Sequence, residues 1–389
     1  MTPEARIATA ADLLDTVLAG EPAEKALTGW ARRSRFAGSK DRAAIRDHVF
    51  DALRCKRSFA ALGGAMTGRG LMIGMLRAQG RDPADIFTGF GHAPAPLEAT
   101  EAAAGAAPAG AEALDLPDWI APLFRESLGP EAETVAQTLR ARAPVMLRVN
   151  LRKATRDQAI AALAQAGVTA QPATVSETAL LVTDGPRRIN GSAPYLDGIV
   201  ELQDGASQAV VDSLPLRQGM KVLDYCAGGG GKTLAMAGRC AGTYFAHDAN
   251  FQRMNDLPNR ADRAGLSVRL LSHSEVADHA PYDLVLCDVP CSGSGSWRRS
   301  PEGKWALSPA TLSDLNVQQD FIMDETQQLV AENGVLIYAT CSVLRAENDD
   351  RVAAFLSRHP GWRCDWARQW TPGSEGDGFF AACLTRYTL

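Results

Sequence analysis

No stretch of this chain is long and apolar enough to cross a bilayer. The opening residues, Met1-Thr2-Pro3-Glu4-Ala5-Arg6, lack the apolar core and cleavage site of an export signal. A cytoplasmic location away from membranes is therefore expected. Positive charge is also short: the formal net charge of -5 excludes a uniformly basic nucleic-acid binder, so any such role must rest on local patches. The eight cysteines are spread irregularly over 389 residues, which excludes a small disulfide-built scaffold and suits a reducing compartment. Cys287 and Cys291 stand four apart, but no second Cys/His pair of zinc-ligand spacing accompanies them, so no metal site is expected.

What is present is enough apolar sequence, 46% of the chain, to bury more than one core. Residues 1–112 begin with helix-like spacing of Ile7, Leu13, Val17 and Leu18, which predicts an all-helical module. Its second half concentrates Arg32, Arg33, Arg35, Lys40, Arg42, Arg46, Arg54, Lys56 and Arg57 beside Trp30 and Phe36, either a phosphate-contacting face or a solvated helix surface. The Ala-, Pro- and Gly-rich segment His92 to Gly110 reads as a linker. Residues 113–200 then give a helical stretch over Pro117 to Ala143 and a small mixed α/β unit: strand Val145 to Asn150, helix Thr155 to Ala166, strand Ala179 to Thr183. Arg148, Arg152, Lys153 and Arg156 around its first strand are candidate backbone contacts for a nucleic acid.

Over residues 201–389 strand candidates alternate with helix candidates: Lys221 to Leu223, Thr243 to Ala246, Ser267 to Leu271, Tyr282 to Cys287 and Gly334 to Tyr338. That alternation predicts a doubly wound α/β domain whose ligands gather at the carboxyl ends of the strands. Three motifs begin at such ends. The first, Asp224-Tyr225-Cys226-Ala227-Gly228-Gly229-Gly230-Gly231-Lys232-Thr233, imitates a phosphate-binding P-loop, but Cys226 stands where that loop needs its first glycine, so a glycine-lined adenosine pocket fits better. Asp248, at the end of the next strand, is placed to accept from ribose hydroxyls or to cap the following helix. The second motif, Asp288-Val289-Pro290-Cys291-Ser292-Gly293, is too polar and Gly-rich for a core, and Trp297, Arg298, Arg299, Lys304 and Trp305 beyond it mix cations with flat rings of the sort that hold phosphates and unstacked bases, although tryptophans at this spacing are more often packing residues. The third is Thr340-Cys341-Ser342. Two strand-end thiols beside a cofactor turn point to an enzyme with a cysteine nucleophile.

Together these residues resemble the RsmB/Nop/Sun family of S-adenosylmethionine-dependent RNA cytosine-5 methyltransferases, over nearly the whole chain. Further similar stretches are Leu202 to Gln208, Leu147-Arg148-Val149-Asn150 and Asp377-Gly378-Phe379-Phe380, while Ser34 to Arg42 is similar to the NusB-like helical domain of bacterial members. The resemblance implies a Rossmann-like class I methyltransferase domain, a small RNA-recognition-like unit, a NusB-like N-terminal domain, RNA as partner with 16S ribosomal RNA favoured, and no obligate protein partner. It assigns catalysis to Cys341 as nucleophile, Cys291 in product release and Asp288 at ring nitrogen 3. The cofactor falls to Cys226, Ala227, Gly228, Gly229, Gly230, Gly231, Lys232, Asp248, Arg253, His273 and Asp288. Two positions depart from the family pattern. Gly228-Gly229 stands for Ala-Pro, which loosens the turn, and Ser272-His273 replaces an acid that meets adenine, leaving Glu275 or Asp278 as shifted acids. A DNA cytosine-5 methyltransferase, with the thiol roles exchanged, and a non-catalytic RNA-binding assembly factor remain the alternatives.

Overall fold

The computed structural model describes residues 1–387. They divide into two compact units, one of Met1–Arg142 with Trp297–Ala306, the other of Ala143–Ser296 with the chain from Leu307 onward. The expected boundary at 112/113 thus falls inside the first unit, and that at 200/201 inside the second.

The first unit is built on helices α1 (Pro3–Leu18), α2 (Ala23–Arg33), α3 (Ser39–Arg54), α4 (Lys56–Gly63) and α5 (Gly68–Ala78). Thr2 and Thr67 cap α1 and α5 through their hydroxyls, and Ile7, Leu14, Ile45, Val49, Leu71 and Met72 form the shared core. Each fully buried Leu, Ile or Met contributes about 1.5–3 kcal/mol. The segment read as a linker is sewn to this core. Arg77 Nη1 donates to the carbonyls of Leu62 and Ala104 at 2.7 and 2.6 Å, and Arg69 pairs with Glu101 at 2.6 Å. The helix expected over Pro117 to Ala143 is instead two, Ile120–Leu128 and Ala132–Leu139, because Gly129, at φ +53°, and Pro130 interrupt it.

Trp297–Ala306 decides between the two readings of its tryptophans. Trp297 is 1% exposed and stacks at 6.2 Å on Phe124 within the same unit, while Trp305 Nε1 donates to the Leu53 carbonyl at 2.6 Å. Buried Lys304 donates to the Arg54 carbonyl, and its burial pushes its pKa down to about 8. Arg54 in turn donates to the Arg298 carbonyl at 2.7 Å. Both tryptophans and these cations are packing residues, so the base-stacking reading fails. The basic stretch is also split. Arg54 is buried, Lys56 lies over Trp305 and Arg57 pairs with Asp118, whereas Arg32, Arg33, Arg35, Lys40 and Arg42 stay exposed around Phe36, itself 77% exposed.

The second unit holds two sheets. In the smaller, β1 (Val145–Val149), β2 (Thr169–Pro172), β3 (Ala179–Asp184) and β4 (Val200–Leu202) run antiparallel in the order β2-β3-β1-β4. Helix Arg156–Gln165 joins β1 to β2 and the short helix Ala193–Leu196 precedes β4, which makes a ferredoxin-like β-α-β-β-α-β unit. Its cations are structural ties rather than free phosphate contacts. Buried Arg148 donates to Gln203 and to the Gly231 carbonyl, Lys153 to the carbonyls of Asp197 and Arg263, Arg152 to that of Ala237 and Arg156 to that of Ala173.

The larger sheet comprises β5 (Lys221–Asp224), β6 (Thr243–Ala246), β7 (Arg269–Leu270), β8 (Tyr282–Asp288), β9 (Val330–Thr340), β10 (Trp362–Trp370) and β11 (Phe379–Arg386), in the order β10-β11-β9-β8-β5-β6-β7. β5 to β9 are parallel; β11 runs antiparallel between β9 and β10. One face buries Leu223, Val285, Leu336 and Phe355, the other Val222, Leu284, Ile337 and Met236. The strand order reverses between β5 and β8, so the carboxyl ends of β5, β8 and β9 open on one crevice. Among the described residues no single helix is long and apolar enough to span a membrane.

Candidate active site

That crevice is a cleft of about 820 Å³ within the second unit. It is walled by Cys226, Ala227, Gly228, Gly229, Gly231, Lys232, Asp248, Arg253, His273, Asp288, Cys291 and Cys341, so all but one of the catalytic and cofactor residues that the family resemblance implies share it. The exception is Gly230. It adopts φ +77°, and a Cβ there would stand 2.3 Å from Leu257 Cδ1, so this glycine builds the turn rather than lining the cleft. A Gly230→Ala variant is expected to lose about 1–3 kcal/mol of stability, read as a lowered thermal midpoint. An unchanged midpoint would refute that role.

The turn is also less loose than its four glycines suggest. The Gly228 N–H donates to Asp248 Oδ2 at 2.8 Å, the Gly230 N–H to the Ala227 carbonyl at 2.8 Å, and Arg260 caps the Gly229 carbonyl. Gly228 takes φ +52°, which glycine reaches freely and alanine does not, so this departure from the family pattern is used by the turn. Asp248 is only 5% exposed. It anchors Gly228, accepts from the Asn250 N–H at 2.9 Å and pairs with Arg253 at 3.1 Å in the wall of the cleft, while the following helical turn Phe251–Met254 is capped by Asn250 instead.

At the end of β5, Asp224 is buried, accepts from the Thr233 hydroxyl at 2.6 Å, and leaves Oδ1 without a partner. Burial raises its pKa to about 7. Lys232, 7% exposed, places Nζ 2.6 Å from Asp288 Oδ2. Burial works against that ammonium, but the adjacent Asp288 carboxylate leaves its pKa above the ordinary lysine value. Lys232 therefore orients Asp288 rather than standing free for a ligand.

Beyond β8 and β9 the half-buried thiols of Cys291 and Cys341 meet at 3.4 Å. A hydrogen bond in which either sulfur can donate joins the two; it lowers the Cys341 pKa with help from the Ser296 hydroxyl and Lys232, whereas that same bond, with burial, drives Cys291 well up. The two thiols titrate as a pair, and these directions favour the thiolate on Cys341 with the proton on Cys291.

At the other end, His273 reaches 3.6 Å from Glu325 Oε1, and Tyr225 donates to Glu325 Oε2 at 2.9 Å. Glu275 instead caps its own helix through Ser272, and Asp278 is not part of the wall, so the acid beside His273 is Glu325. Sequence reasoning also missed Gln203, His247 and Phe321. His247 Nδ1 bonds the Tyr225 carbonyl at 2.8 Å while its buried Nε2 has no partner.

The cleft suits S-adenosylmethionine. Asp224, Asp248, Asp288 and Glu325 set four carboxyl groups around a space that takes a sulfonium cation, and a turn crowded at Gly228 by Arg253 presents backbone at close range.

Comparison with known proteins agrees. The family model described as 16S rRNA methyltransferase RsmB/F matches residues 211–385, and one described as an RsmF/B-like ferredoxin-like domain matches residues 116–188. The chain is 30% identical over 284 residues to the ribosomal RNA small subunit methyltransferase B of Serratia proteamaculans, and 31% identical over 285 residues to that of Yersinia pestis bv. Antiqua. Each match covers 69% of this chain and 66% of the relative's length. Among solved structures, PH0851 gives a TM-score of 0.77 at 22% identity over 99% of both chains. NSun6 from Pyrococcus horikoshii with SFG gives 0.61 at 16% identity over 70% of this chain and 99% of that one. These structural likenesses are of fold.

Proposed function

This chain belongs to the RsmB/F family of 16S rRNA methyltransferases, and from that membership we propose that its cleft methylates carbon 5 of a cytosine in ribosomal RNA. The observation that carries the reading is the pair of thiols at 3.4 Å beside Asp288 and the glycine turn.

Carbon 5 of cytosine is a weak nucleophile, so addition of a thiolate at carbon 6 must first turn the ring into an enamine. Cys341 Sγ forms that bond as the displaced ring electrons move toward nitrogen 3, and the proton that nitrogen takes up comes from the Lys232 ammonium through the Asp288 carboxylate it is bonded to. S-adenosylmethionine, held by the turn from Cys226 to Gly231 with Asp248, Arg253 and His273, supplies the electrophilic methyl group when bound. Removal of the carbon-5 proton then drives elimination: the C–H pair re-forms the ring double bond, the S–C6 bond breaks, and Cys341 leaves as thiolate. Cys291 is the base of that release: with Cys341 bonded to carbon 6, Cys291 yields its own proton to solvent, and its thiolate then takes the carbon-5 proton. The target base must leave its stack, at a cost of a few kcal/mol, so loops or locally open RNA are favoured. The exposed Arg32, Arg33, Arg35 and Lys40 around Phe36 serve RNA phosphates. The protein acts in the cytoplasm, away from membranes and without an obligate protein partner.

The decisive experiment supplies labelled S-adenosylmethionine with 16S ribosomal RNA and, separately, with DNA of matching sequence. Label in RNA, recovered as 5-methylcytosine, is expected. Label in DNA alone would exchange substrate and thiol roles, and no saturable cofactor binding by calorimetry would leave an RNA-binding assembly factor.

A further inference from the structure

Glu347 lies in none of the motifs discussed above, yet it is completely buried between the two loops that carry the thiols. Its Oε1 accepts from the Ser292 N–H at 2.7 Å and from Gln319 Nε2 at 3.2 Å; its Oε2 accepts from the hydroxyls of Ser292 and Ser342, the latter at 2.5 Å. Ser292 follows Cys291 and Ser342 follows Cys341, so a single carboxylate grips the residue next to each thiol. Gln319 also donates to the Pro290 carbonyl at 2.9 Å, which holds Cys291 from its other side. Around this centre the loops are laced directly, by Ser294 and Ser342 hydroxyls at 2.8 Å and by the Gly295 N–H to the Cys341 carbonyl at 2.9 Å.

All four of those donors are neutral. Hydrogen bonds from neutral groups hold a buried carboxylate only at a net cost in stability compared with an apolar residue of the same size, so structure alone gives little reason for one here. We propose that Glu347 is the positioning residue that sets the two cysteine loops in register and directs the proton of the thiol pair to Cys291.

The proposal rests on the methyltransferase reading and supplies what that reading needs, a means of telling two adjacent thiols apart. Negative charge on Glu347 adds to the forces that keep Cys291 protonated, after the Cys341 hydrogen bond and burial. The other groups facing the pair are Lys232 and Ser296, which favour a thiolate on Cys341, and Asp288, which opposes it. Tyr338 approaches from β9, donating to the Glu347 carbonyl, with Arg351 and Asp320 behind it.

The test uses the full chain and needs no turnover: iodoacetamide alkylation of the two thiols against pH, mapped by mass spectrometry, for the parent, Glu347→Gln and Glu347→Asp. Glutamine keeps the shape and one acceptor oxygen but not the charge. In the parent, Cys341 is expected to react about tenfold or more faster than Cys291 near neutral pH, the ratio one pKa unit gives. Glu347→Gln is expected to cut that ratio about tenfold and to move the Cys341 midpoint to higher pH, while Glu347→Asp restores the ratio to within about threefold of the parent. A glutamine variant with the parent ratio and midpoint would overturn the proposal. If glutamine unfolds the chain, the aspartate variant decides: a ratio near the parent's with the parent midpoint supports it, and a collapsed ratio despite the retained charge overturns it. Methyl transfer to RNA by the same parent sample separates the two levels. No transfer would sink the enzymatic reading, whereas transfer with a ratio indifferent to Glu347 would sink only this inference.

Discussion

A Cys341→Ala variant is expected to lose about 10⁴-fold or more of methyl transfer to RNA while binding S-adenosylmethionine within about threefold of the parent. The size follows from the chemistry: without sulfur at this position nothing in the cleft adds to carbon 6, and carbon 5 never becomes nucleophilic. The selectivity follows from the geometry. Cys341 lies at the end of the cleft formed by β8 and β9, whereas the turn from Cys226 to Gly231, Asp248 and Arg253 rises from β5 and β6 and is anchored by its own hydrogen bonds. Folding is spared as well, since Cys341 is half-buried and its loop is pinned by Ser342 and Glu347 rather than by the thiol. Labelled-methyl incorporation together with calorimetric titration checks both halves. Full turnover by this variant would move the nucleophile elsewhere, and a matching loss of cofactor binding would make Cys341 part of the cofactor site instead.

Much of this arrangement was legible in the sequence because the parallel strands are buried on both faces and read as short apolar runs. Thr243–Ala246 matches its expected span, and Tyr282–Asp288 and Lys221–Asp224 each extend one residue further. The strand-end rule then placed Asp288, Cys291, Cys341 and the glycine turn on one crevice. Strands β10 and β11 escaped. Trp362, Cys364 and Trp366 alternate with polar residues, but the exposed Arg363 and Arg368 along β10 mask an edge strand, and the antiparallel return of β11 breaks the strand-helix rhythm. The basic residues misled for a different reason. Arg148, Arg54 and Lys304 look like free cations in sequence, yet each donates to a carbonyl that no local pattern reveals. Glu347 and Glu325 were invisible likewise, because their importance lies in partners about 55 and 100 positions away, Ser292 and Tyr225. Long-range polar ties of this kind leave no periodicity to read.

The same geometry predicts that Cys291→Ala arrests the reaction after attack, so that protein and RNA accumulate as a covalent adduct that survives denaturing electrophoresis. Cys341 can still add to carbon 6, because its thiolate is also favoured by Ser296 and Lys232. Release is what fails: at 3.4 Å from Cys341, Cys291 is placed to exchange the protons that elimination requires, and alanine cannot. Removing Cys291 also removes the S–H donor that does most to lower the Cys341 pKa, so that pKa rises and adduct formation must shift to higher pH than parent turnover. A gel-shifted band with labelled RNA, absent from the Cys341→Ala/Cys291→Ala double variant and growing faster as pH is raised from 6 to about 9, is the expected result. The rival assignment, in which Cys291 attacks, predicts the reverse at every step: no adduct from Cys291→Ala, and trapping by Cys341→Ala. Because the two sulfur atoms are neighbours in one wall of one cleft, a static distance cannot rank them; the proton between them can, and the adduct records which sulfur gave it up.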